Sequence, residues 1–114
     1  MNKVKRVTIF LYVKDLNQSA NFYKNIFDFN ESYADEDIMT LINSICTLTL
    51  TKSPNPKLIT FGFIIEDTTS LVQKIKNYGN IDFVNSVDSA HPGFAIKDID
   101  GNEISLNNTN YKPC

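Results

Sequence analysis

From Val7 to Asp15 the chain alternates, with aliphatic Val7, Ile9, Leu11 and Val13 separated by Thr8, Phe10, Tyr12 and Lys14. A period of two is that of a β-strand with one face toward a core. After Asp15 the spacing changes: Leu16, Ala20, Tyr23 and Phe27 recur at helical intervals, with Asp15 or Asn17 placed to cap the first turn. The pattern then returns. Ile59 to Asp67 shows the same alternation, Asp67 lies 52 positions after Asp15, and Thr60 matches Thr8 at that offset. A second helix is predicted with Leu71, Val72, Ile75 and Tyr78 on one side and Gly79 as a left-handed C-terminal cap. The chain therefore reads as two copies of one unit.

Short extended runs fill the remainder of each copy. After a turn at Asp28-Phe29-Asn30, strands are predicted around Glu31 to Tyr33, over Ile38 to Ile42 and over Ile45 to Thr51, with Asp35-Glu36-Asp37 and Asn43-Ser44 as turns. In Cys46-Thr47-Leu48-Thr49-Leu50-Thr51 the threonines share one face, which keeps that face out of an apolar core. Residues 52–57, with Pro54 and Pro56, form a surface linker. Beyond Gly79, strands are predicted over Asp82 to Val87, Phe94 to Lys97 and Glu103 to Asn107, the last two joined by a tight turn at Asp98-Ile99-Asp100-Gly101-Asn102. Each copy is thus strand, helix and three strands. The expected fold is α+β: one domain, residues 1–114, made of two βαβββ modules, 5–52 and 58–108. Each helix would cover one face of a curved mixed sheet, and the other face would surround a cleft.

Composition narrows the partners. The 114 residues are 42% hydrophobic and 21% charged, with a net charge of −2, a balance suited to one globular core. A pI near 5.2 gives no field that attracts a phosphate backbone, so nucleic acid is not an expected partner. No apolar run reaches transmembrane length, and the alternating stretch behind Lys3, Lys5 and Arg6 is unlike a signal peptide, so no membrane partner and a cytoplasmic location are expected. Cys46 and Cys114 give no disulfide framework.

Four stretches together carry a resemblance: Val13-Lys14-Asp15-Leu16, Ser19 with Phe22-Tyr23, Glu66-Asp67, and Asp98-Ile99-Asp100-Gly101-Asn102-Glu103-Ile104. In this order, across residues 5 to 108, the chain resembles the vicinal oxygen chelate superfamily, which includes glyoxalase I, bleomycin-resistance proteins and extradiol dioxygenases. The resemblance implies paired βαβββ modules and, in the metalloenzymes, a metal held at positions that fall here on Thr8, Thr60 and Ser105, with a fourth on or near Thr49. All are hydroxyl residues. Zinc and nickel sites are built from imidazole, thiolate and carboxylate, so no metal and no cofactor are expected at these positions.

A cleft without the metal is still a cleft. Thr8, Thr47, Thr49, Thr60 and Ser105 are expected to line it, and hydroxyls sealed without partners would each cost roughly 1–3 kcal/mol. Phe10, Tyr12 and Ile64 add apolar surface, Gly62 is expected to leave room, and Glu103 alternates onto the same face. His91, the one histidine, reads as a loop residue before Pro92-Gly93, and Cys46 as a buried thiol. The acidic stretch Asp35 to Asp37 reads as a solvated hairpin tip, with a rim for a cationic ligand as the alternative. The expected function is metal-independent binding of a small molecule, of the glyoxalase/bleomycin-resistance type, by a homodimer that sequesters an antibiotic or other toxic compound. The alternatives are a lyase, isomerase or dioxygenase-like enzyme with a displaced metal site, such as His91 with Glu103, and a protein-interaction module.

Overall fold

The computed structural model describes residues 3–84 and 93–108. The chain forms two compact units, Met1–Lys57 and Leu58–Cys114. The first contains β1 (Val7–Val13), α1 (Leu16–Phe27), β2 (Asn30–Ala34), β3 (Ile38–Ile42) and β4 (Cys46–Lys52). The second contains β5 (Thr60–Ile65), α2 (Thr68–Tyr78), β6 (Phe83–Val84), β7 (Gly93–Lys97) and β8 (Glu103–Asn108). The α+β class and the two βαβββ modules are as expected, and each module has its own four-stranded mixed sheet, ordered β1-β4-β3-β2 and β5-β8-β7-β6.

Both helices start where a carboxylate can satisfy the first free N–H groups. Asp15 accepts from the Gln18 N–H at 3.0 Å, and Asp67 accepts from the Ser70 N–H at 2.9 Å. Asp15 rather than Asn17 is therefore the cap. The ends differ. Asp28 closes α1 at φ 57°, ψ 37°, a left-handed conformation that aspartate tolerates, with its N–H donating to the Tyr23 carbonyl. Gly79 has positive φ but extended ψ (81°, 157°), and the left-handed φ of 57° falls on Asn80, so the expected cap is displaced by one residue.

In the first unit α1 packs on β3 and β4. Leu11, Val13, Leu41, Leu48 and Leu50 of the sheet are buried against it, as are Phe22, Tyr23 and Ile26 of the helix. Removing each such side chain from water contributes about 1.5–3 kcal/mol. The buried stripe of α1 is rotated from the expected one: Phe22 and Ile26 are enclosed while Phe27 is only half-buried. Phe22 meets Tyr23 edge-on, with ring centroids 5.0 Å apart. In the second unit the buried apolar residues are Leu71, Ile75, Ile96, Ile104 and Leu106.

Two turns are organised by side chains. Asp35 accepts from the N–H groups of Asp37 and Ile38, both at 2.8 Å, and closes the β2–β3 hairpin. Asp98 accepts from the N–H groups of Asp100, Gly101 and Asn102, which shapes the β7–β8 turn with Gly101 at φ 104°. The strand expected over Asp82 to Val87 is described only as Phe83–Val84, and residues 85–92, with His91, lie outside the described residues. None of the helices among the described residues is long and apolar enough to cross a membrane.

Candidate functional site

Register decides which side chains share a face. β1 runs parallel to β4 with Thr8 opposite Thr47, Phe10 opposite Thr49 and Tyr12 opposite Thr51. β3 runs antiparallel on the other side of β4, placing Thr40 opposite Thr49, Ile42 opposite Thr47 and Ile38 opposite Thr51. A bulge between Glu31 and Tyr33 then sets Tyr33 of β2 opposite Thr40. Because side chains alternate along each strand, these residues form three rows on the face opposite α1. The middle row reads Phe10, Thr49, Thr40, Tyr33.

That face is open. Phe10 is 64% exposed, Tyr33 55% and Tyr12 47%, whereas Leu48 and Leu50, on the other face of β4, have no exposure. At one end of the face Arg6 donates to the Asn43 carbonyl at 2.7 Å and lies 3.5 Å from the Thr47 hydroxyl. At the far edge the Tyr33 hydroxyl donates to Asp35 at 2.7 Å. This bond and the Asp37 and Ile38 N–H groups hold the Asp35 carboxyl below its ordinary range, while the same bond, and after it the Asp35 charge, raises the Tyr33 phenol above its own.

The second unit repeats the arrangement with different chemistry. β5 runs parallel to β8 with Thr60 opposite Glu103, Gly62 opposite Ser105 and Ile64 opposite Asn107. Lys97 of β7 stands opposite Glu103, and Asn107 donates to the Ser105 hydroxyl at 3.4 Å. Ile64 is 67% exposed. Gly62 does not open space: a Cβ there would lie 2.9 Å from the Ser105 carbonyl oxygen, so the missing side chain lets the β8 backbone approach. The residues expected around a cleft thus fall in two sets on two sheets, Thr8, Phe10, Tyr12, Thr47 and Thr49 on the first, and Thr60, Gly62, Ile64, Glu103 and Ser105 on the second.

Thr8 and Thr49 are diagonal neighbours on the first sheet, and Thr60 and Ser105 are diagonal neighbours on the second. The resemblance described above places a metalloenzyme's ligands at these positions. Neutral hydroxyls are weak donors beside the imidazole and carboxylate that such ions take, and this set does not fit the metal. Among the described residues no group of three or more His, Cys, Asp or Glu is placed to hold one elsewhere. Cys46 is buried, with its sulfur 3.7 Å from the Thr47 carbonyl, and burial pushes the thiol pKa up against the opposing effect of Arg6, which keeps it protonated.

One concavity lies apart from the expected cleft, and sequence reasoning touched it only through the alternative of an acidic rim at Asp35 to Asp37. A cavity of about 380 Å³ lies between the start of α1 and the β2–β3 hairpin, with Lys14, Lys52, Asp35 and Glu36 around it and Leu16 and Met39 among its apolar walls. It includes none of the ten residues expected to bind ligand. Asp35 is engaged by its turn and by Tyr33, and Asp15, also at the cavity, by the helix it caps, so much of its negative charge is already committed. The sheet faces present donors and acceptors with fewer internal partners, and they are the better candidate.

The fold has many relatives among solved structures. An integron cassette protein from the mobile metagenome of Halifax Harbour Sewage Outfall, HFX_CASS4, superposes with a TM-score of 0.76 at 18% identity, covering 90% of this chain and 97% of that one. Lactoylglutathione lyase from Agrobacterium tumefaciens gives 0.73 at 15% identity, covering 90% and 92%. The fosfomycin resistance protein FosX from Listeria monocytogenes, complexed with Mn(II) and sulfate, gives 0.72 at 19% identity, covering 95% and 90%. At such identities the likeness is one of fold. No curated protein matches the chain in sequence at a significant level. A family model, however, matches residues 4–106, nearly the full length, and with the paired modules this establishes that the chain belongs to the Glyoxalase/Bleomycin resistance protein/Dioxygenase superfamily.

Proposed function

We propose that the protein binds a small molecule without a metal, using the open hydroxyl-bearing sheet faces, and acts by sequestering that compound. What supports this reading is chemical: the positions where the resemblance would place metal ligands hold Thr8, Thr60 and Ser105, with a fourth on or near Thr49. Their hydroxyls can each donate and accept a hydrogen bond, which suits an organic ligand better than a cation. The exposed aromatic rings beside them supply the apolar surface that small-molecule sites combine with a few polar groups. A resistance role is in keeping with FosX being a fosfomycin resistance protein, and a homodimer in the cytoplasm is the expected form.

The test is a thermal-unfolding scan of EDTA-treated protein with and without Zn²⁺, Ni²⁺, Mn²⁺, Co²⁺ and Mg²⁺. A specific ion held at 100 times its dissociation constant would add about 2.7 kcal/mol, a midpoint shift of roughly 10 °C for a domain of this size. The expected result is no shift with any ion. A sharp rise with one ion would overturn metal independence. Sedimentation of the same sample reads the oligomeric state.

A further inference from the structure

We propose that the open face of the first sheet selects an uncharged, flat ring compound carrying hydroxyl or carbonyl groups, and discriminates against both anions and cations. This rests on the ligand-binding reading above and gives its site a ligand class. The middle row begins and ends with an aromatic residue, Phe10 on β1 and Tyr33 on β2, and between them lie the hydroxyls of Thr49 and Thr40. Strands stand about 4.8 Å apart, so three spacings separate the two aromatic positions by roughly 14 Å. Allowing about 3.5 Å of contact distance at each wall leaves about 7 Å, the span of two or three fused rings.

The walls are available and one is fixed. Phe10 and Tyr33 are more than half exposed, and the Tyr33 hydroxyl is held by Asp35 at 2.7 Å, which orders the ring before any ligand arrives. The floor can serve carbonyl and hydroxyl groups alike, since each threonine both donates and accepts. Charge sets the class. No strand position in the three rows carries a formal charge, and the two charges that border them are already engaged, Arg6 at one end and Asp35, bonded by Tyr33 and by the Asp37 and Ile38 N–H groups, at the far edge, so an ion laid on this face would meet no uncommitted counter-charge. The Arg6 guanidinium, at the end of the face, donates to the Asn43 carbonyl at 2.7 Å and, at 3.5 Å, to the Thr47 hydroxyl, so its Nη1 is engaged within the first unit. By contrast, the second sheet sets Glu103 opposite Lys97 on its corresponding face.

The experiment is an NMR titration of the full chain at neutral pH with three matched probes: a dihydroxynaphthalene, a naphthalene sulfonate and a naphthylmethylammonium ion. The diol is expected to move the amides of β1, β3 and β4 and to bind at least about tenfold more tightly than either ion. Phe10→Ala and Thr49→Val are each expected to weaken the diol several-fold while leaving the unfolding midpoint within a few degrees, since both side chains lie on the open face. An ion that matches the diol at these amides overturns the neutral class while the binding reading stands. Shifts confined to β5 through β8, or a diol affinity indifferent to both substitutions, overturn the assignment to this face. Silence of all three probes on the first sheet overturns this face as the site of a flat ring ligand, and the binding reading then rests on the second sheet.

Discussion

Asp98 gathers three successive backbone N–H groups at 2.9–3.0 Å, and its second oxygen accepts from the Asn102 amide at 2.9 Å. The fully buried Asn102 in turn accepts from the Ile59 N–H at 2.8 Å, tying the turn to the start of β5. Asp98→Ala would leave several donors without their charged acceptor, and is expected to destabilise the fold by about 2–4 kcal/mol in urea unfolding. The pair Tyr33 and Asp35 makes a prediction about protonation. Because the Asp35 carboxyl is held below its ordinary range, its contribution to stability is present above that range and is lost as pH falls through the lowered value. Tyr33→Phe is expected to raise the Asp35 pKa part of the way back, with the Asp37 and Ile38 N–H groups retaining the remainder; carboxyl carbon NMR reads it directly. The turn at Asp98 was legible in the sequence, since Asp-x-Asp-Gly-Asn carries its own hydrogen-bonding plan. The place of Tyr33 opposite Thr40 was not, because it depends on a bulge that one-dimensional alternation does not record.

At the level of elements, periodicity located β1, β4 and β5 well, and the aspartates at 15 and 67 marked both helix starts. What periodicity lacks is register. That Phe10 stands opposite Thr49 follows from pairing between strands some forty residues apart, and only that pairing turns isolated threonines into rows. The same limit applies to Gly62, which reads in sequence as vacant space and in three dimensions as a close approach of β5 to β8. Gly62→Ala sets a methyl against a backbone carbonyl that cannot swing aside. It is expected to cost about 1–3 kcal/mol, seen as a lowered midpoint in denaturant, where an exposed strand glycine with space around it would have gained stability from alanine.

The molecule as a whole is two compact units of similar length whose described residues are buried unequally. Of the buried apolar residues described, most belong to the first unit, where Phe22, Tyr23, Phe29 and a leucine-rich sheet enclose one another. In the second unit Phe61 and Phe63 remain half-exposed. Local stability follows buried contact, so amide hydrogen exchange is expected to be slower at Leu48 and Leu50 than at Ile104 and Leu106, the corresponding central strand. Length and the 52-residue offset made the duplication legible, but the balance between the copies was not, because both display the same alternation and differ in how completely it is enclosed. A fold built from two copies, each with its own sheet, has a consequence for how such a chain can change over generations. Substitutions in one copy leave the sheet of the other whole, so new side chains can be tried on one sheet while the other preserves the inheritance.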